Sequence, residues 1–331
     1  MGRGSRYCNI VSSSGVLIIY TLIMLITAIL FSYTATLSNS ISPVPALAGF
    51  VDIEQIPHTF SLIAGIVLFV LTIMSVYCVS ESIFASARRS EIISLMYALI
   101  VLINPSAILF SGVSLASLAM VWSIYFMIRS KNNSSAIFIS PFLASVASLF
   151  SPYIIFAVPI LMFFVLNLRS PDMRSIAVSF AGALFPYIFV FSLRYIFFDD
   201  SAIFAELLRA ELMNFSMPKI KAASIPEILQ IILLIVVALN SARSVIKSLR
   251  FYRTEESLVL SKMIILLLLL VLVNAVYSNT YSSYMAFIAL PMAFIVCEYV
   301  NPIGDNRSKI RGVDMLILLL VIFMNRVNLF I

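Results

Sequence analysis

Two polar segments carry the side chains best suited to chemistry. Residues 37–58, LSNSISPVPALAGFVDIEQIPH, hold Asp52, Glu54, Gln55 and His58 with no Lys or Arg. Residues 199–224, DDSAIFAELLRAELMNFSMPKIKAAS, hold Asp199, Asp200, Glu206, Arg209, Glu211, Lys219 and Lys221. A carboxylate such as Asp52 or Glu54 can act as general base on an acceptor hydroxyl, or hold a divalent cation. Arg209, Lys219 and Lys221 can neutralise a phosphate leaving group. Arg194, in FSLRYIFF near the end of an apolar run, is a cation in a costly place. It either snorkels to the boundary or pairs with Asp199 or Asp200. Each of these residues also has a plain reading, because loops must contain polar side chains somewhere.

The elements that must position these residues are set by the solvent. The chain is 62% hydrophobic and only 11% charged, against roughly a quarter charged in a soluble domain. Lipid is the solvent this composition requires. An all-α fold follows, a polytopic transmembrane bundle in one integral-membrane domain over 1–331. Runs of sufficient length predict eleven helices. They are Gly15–Thr36, Phe60–Ser80, a hairpin over Ile92–Ile128 turning near Ser111-Gly112, and a hairpin over Ala136–Leu168 turning near Ser151-Pro152. Ser175–Phe198, Ile225–Ala242, Met263–Ser278 and Ser283–Val300 follow, and the last begins near Val313. The first run follows Arg3 and Arg6 like a signal peptide, but no small-residue cleavage pattern follows it. It reads as an uncleaved span.

Lys and Arg alternate between the polar breaks, and cytoplasmic loops are the ones that carry an excess of them. An N-terminus in the cytoplasm puts segments 81–91, 129–135, 169–174, 243–262 and 301–312 inside, and 37–58 and 199–224 outside. Every Lys and Arg then lies inside except Arg194, Arg209, Lys219, Lys221 and Arg326. Within 199–224 the spacing of Ile203, Phe204, Leu207, Leu208 and Leu212 suits a helix lying flat on the outer boundary.

Several chemistries are excluded. The pI is about 9.3, yet the basic residues are dispersed over short loops with no single basic face, so nucleic acid is not a partner. Cys8, Cys78 and Cys297 form no CxxC pair, and His58 is the single histidine, so no metal-site pattern is present. No phosphate-binding loop, zinc-protease or nucleophile-elbow motif occurs. Asn104-Pro105 must break its helix, and Pro141, Pro159, Pro186 and Pro291 lie in or beside apolar runs, where each permits a kink. Asn274 and Asn325 are candidates for bonds between helices. Tyr195, Phe197, Phe198, Tyr277, Tyr281 and Tyr284 fit an aromatic belt.

The basic N-terminus, the first helix, an acidic first outer segment and short paired helices with LINPSAILFSG in the third form a recognisable order. RSIAVSFAGALFPYIFVF adds a basic break before a helix bearing Gly and Pro. In these features the first 200 residues or so resemble the integral-membrane glycosyltransferases of the C-type fold. They also resemble an uncharacterised family of multi-pass inner-membrane proteins from Bacteroidota. The first resemblance implies a catalytic acid in the first outer segment, and the matching positions are Asp52 and Glu54. The chain departs from that pattern in having its acids late in the segment, no adjacent acidic pair there and no sizeable outer domain.

The resulting expectation is a bacterial inner-membrane protein handling a polyprenyl- or lipid-linked sugar at the outer face, as an active or degenerate glycosyltransferase relative. Asp52 or Glu54 is the candidate base, with a divalent cation as cofactor if the chain turns over. Arg194, Arg209, Lys219 and Lys221 would meet the phosphate. Two alternatives stand beside it. One is a non-enzymatic subunit of a cell-envelope or secretion complex, with membrane-protein partners; the other is a small-molecule transporter.

Overall fold

The computed structural model describes residues 14–34, 57–84, 86–131, 133–168, 172–198, 206, 209–210, 212–213, 225–249, 254–276 and 281–300. Among them there are ten α-helices and no strand. In chain order they are α1 (Ser14–Thr34), α2 (His58–Phe84), α3 (Ala87–Val101), α4 (Gly112–Arg129), α5 (Ser134–Phe150), α6 (Ala157–Leu168), α7 (Met173–Phe198), α8 (Ile225–Ser248), α9 (Thr254–Val276) and α10 (Tyr281–Val300). Two 3₁₀ turns, Pro105–Ile108 and Pro152–Phe156, sit inside the hairpins α3–α4 and α5–α6. Ten helices thus stand where eleven were expected; the segment from near Val313, with Asn325 and Arg326, lies outside the described residues.

Local chemistry explains where these helices stop and start. Pro105 has no N–H and disfavours helical geometry at Asn104, so α3 ends at Val101 and the chain tightens into a 3₁₀ turn. Ser111 then caps α4. Its hydroxyl accepts from Ser114 N, while Ser111 N donates to Ser114 Oγ, a reciprocal capping box. Asn133 caps α5 by accepting from Ser135 N at 3.0 Å. Ser151 closes α5, and Pro152 opens the second 3₁₀ turn at its first position, where the missing donor costs nothing.

Two expected cytoplasmic breaks are shorter than the sequence implied. The break at 81–91 is largely helical, because α2 continues to Phe84 and α3 begins at Ala87. The break at 243–262 is also mostly helix, with α8 running to Ser248 and α9 starting at Thr254. Apolar runs mark only the stretch that fits the hydrocarbon. A helix that satisfies its own backbone continues into the headgroup region at little cost, and Glu, Arg and Lys are good helix formers there.

Four helices are long and apolar enough to cross a membrane: His58–Phe84, Gly112–Arg129, Met173–Phe197 and Glu256–Val276. Their outward faces are large and apolar, including Ile63, Val67 and Met74 on α2 and Phe185, Ile188 and Phe189 on α7. This is a helical membrane protein. Shorter apolar helices, Ser134–Phe150 and Met285–Tyr299 among them, complete the bundle.

The centre of the bundle is α10. Every residue from Met285 to Tyr299 is buried, and α3, α4, α8 and α9 all pack on it. A helix apolar all round belongs inside. Ala286, Ala289 and Ala293 supply the small side chains that let neighbouring backbones approach where lipid offers no hydrophobic driving force. At the other extreme, α7 lies at the rim, packed mainly on α5.

Candidate functional site

The long segments 35–57 and 199–224 both connect to one end of the bundle. Ser61 O, in the first turn of α2, accepts from Phe110 N of the α3–α4 connector at 3.0 Å. One turn further along α2, Gly65 lies so close to the connector that an added Cβ would collide with Ile108 O. The start of α2 therefore shares an end with the α3–α4 connector. Across α4 and α5, Ser123 Oγ donates to Ser140 O at 2.8 Å, fixing the pair as an antiparallel hairpin whose α5 end returns to the same side.

The α7 helix runs parallel to α5. Gly182, in the first half of α7, meets Phe138 O near the start of α5, and the Tyr187 hydroxyl bonds the Ser148 hydroxyl further along both. The end of α7 thus joins the start of α2 at one end of the bundle. Arg194 lies two turns beyond Tyr187 on the same inward-facing stripe of α7. It is only 5% exposed. Its side chain is thus buried rather than spread at the boundary, and Asp199 and Asp200, the partners expected for it, lie outside the described residues.

The remaining predicted residues divide simply. Asp52, Glu54, Asp199, Asp200, Lys219 and Lys221 lie outside the described residues. Arg209 is exposed, and the described residues between 201 and 215 are helical. His58 opens α2 and is half-buried. Among the described residues, no group of three or more His, Cys, Asp or Glu could hold a metal ion. Asn274, expected to bond a neighbouring helix, keeps a buried Oδ1 with no hydrogen-bond partner among the described residues.

At the opposite end, the structure joins charges that sequence reasoning did not pair. Arg89 Nη1, in the first turn of α3, lies 3.5 Å from Glu298 Oε1 in the last turn of α10. The Arg89 guanidinium also covers the Phe84 ring at 5.6 Å, and Phe84 packs against Phe294. Cys297 Sγ points at Arg89 O at 3.9 Å. Separately, Lys262 of α9 is 5% exposed and donates to Phe164 O of α6 at 3.0 Å. A signal was present in the sequence: Glu298 is the one charged residue in 281–300, and Lys262 is the one charged residue in 257–276. Isolated charges in apolar runs mark buried contacts, but the sequence does not say with which helix.

The chain matches no protein-family model and no curated protein.

Proposed function

We propose that this chain is a multi-pass inner-membrane protein, N-terminus cytoplasmic, that acts on a polyprenyl- or lipid-linked sugar at the outer face as a glycosyltransferase-like protein. Its fold would be similar to that of the C-type enzymes, with an eleventh helix beginning near Val313. The supporting observation is the shared end. Segment 35–57, with Asp52 and Glu54, enters α2 there, and segment 199–224, with Lys219 and Lys221, leaves α7 there. Acid and cation candidates so anchored can serve one substrate, the carboxylate as base and the cations on the phosphate. Buried Arg194 adds a fixed positive charge on the α7 stripe leading to that end.

The test has two parts. Single cysteines at positions 52 and 250, in a chain with Cys8, Cys78 and Cys297 replaced by Ser, are labelled with an impermeant maleimide in spheroplasts. Position 52 should react and position 250 should not; equal reaction would remove the topology. Purified protein is then offered a panel of polyprenyl-phosphate sugars with a hydroxyl acceptor. Transfer that is lost in Asp52→Asn or Glu54→Gln, with heat stability unchanged, carries the reading. No transfer, together with a membrane protein that co-purifies stoichiometrically, would move the chain to the non-enzymatic subunit class.

A further inference from the structure

The face of α4 nearest the charged end carries three polar handles in register. Trp122, Tyr125 and Arg129 recur at helical spacing along it. The Trp122 and Tyr125 rings meet edge to face at 5.3 Å, Tyr125 and Phe126 at 5.4 Å, and the Arg129 guanidinium lies 4.8 Å over the Tyr125 ring. Trp122 and Arg129 are both exposed. The cation–π contact folds Arg129 back along the helix toward the aromatics and holds it there. Among the described residues Arg129 has no carboxylate partner, and neither the Trp122 indole N–H nor the Tyr125 hydroxyl has a hydrogen-bond partner.

We infer that this face is a binding site for the headgroup of an anionic glycerophospholipid. Arg129 would take the phosphate. Tyr125 and Trp122, the latter about 4.5 Å deeper than Tyr125 at 1.5 Å per residue, would reach the glycerol and ester oxygens. The apolar flank of α4 below them would lie along the acyl chains. A cation stacked on an aromatic ring, with a second ring one turn deeper and apolar surface beyond, follows the order of phosphate, glycerol-ester region and acyl chains in the lipid itself. That match argues for a lipid over free phosphate, which would leave the aromatic handles idle. The site is independent of the proposed outer-face chemistry, since it sits at the other end of the bundle.

Trp122 is the single tryptophan of the chain, so its fluorescence reports this face alone. The full-length protein is placed in phosphatidylcholine nanodiscs containing a small fraction of dibrominated phosphatidylglycerol, or of dibrominated phosphatidylcholine with the same chains. One Arg at a membrane surface should give about a fivefold preference for the anionic lipid in quenching. Arg129→Gln should reduce quenching to the phosphatidylcholine level, while Lys247→Gln, at another helix end, should leave it unchanged. Equal quenching by the two lipids in the unaltered protein would overturn the proposal, whether or not Arg129→Gln folds. So would a preference that survives Arg129→Gln, or one that inorganic phosphate competes away.

Discussion

Arg89 Nη1 and Glu298 Oε1 stand 3.5 Å apart, and each lies at the wrong end of its own helix. A base in the first turn of α3 faces that helix's positive pole, and an acid in the last turn of α10 faces that helix's negative pole. Because the start of α3 packs against the end of α10, each charge instead meets its neighbour's pole of opposite sign. The pair, supported by the Phe84 ring and the Cys297 thiol, ties the central helix to the hairpin that surrounds it.

Breaking that pair should destabilise the protein. Glu298→Ala is expected to cost about 3 kcal/mol, the low end for a broken buried pair, because the Arg89 side chain keeps 14% exposure. The double variant Arg89→Leu/Glu298→Leu should recover most of the loss. Heat-denaturation midpoints in one detergent measure both, and additive losses would refute the coupling.

Gly65 tolerates no side chain. Gly65→Ala would drive a Cβ into the backbone of Ile108 and Phe110, and should cost about 1–3 kcal/mol as overpacking. Gly15→Ala is the control, since its Cβ meets nothing within 4 Å. The two variants should differ clearly in thermal midpoint; equal midpoints would mean that the connector moves freely off α2.

Lys262 is buried against a carbonyl rather than a carboxylate, so its charge gains little. Lys262→Met keeps the length, removes the buried charge and should leave stability within about 1 kcal/mol. Lys262→Glu sets an acceptor against Phe164 O and should cost about 3 kcal/mol. A severe loss with Met would instead assign the ammonium a partner beyond Phe164.

The α5–α7 seam should respond to small changes. Tyr187→Phe removes the hydroxyl that bonds Ser148 and should cost about 0.6 kcal/mol, the average for such bonds between membrane helices, and no more than about 1.7 kcal/mol. Gly182→Ala pushes α7 off Phe138 O and should cost more, because backbone cannot yield as a side chain does. Proteolysis of the α7 region in detergent reads the same loosening.

Much of this architecture is legible along one dimension. Apolar runs placed the ten observed helices, and Asn104-Pro105 and Ser151-Pro152 marked the hairpin turns. These are local properties: burial in lipid, a missing donor, a capping hydroxyl. Three other features were decided only by packing. α10 rather than the equally apolar α9 became the central helix; Arg194 turned inward; and Cys297 and Glu298 met Arg89, with 208 residues separating Cys297 from Arg89. Lipid tails and protein interior are equally apolar, so hydropathy cannot sort a lipid-facing helix from a buried one. Only the fit of small residues and the meeting of distant charges can, and both exist only once the helices have assembled.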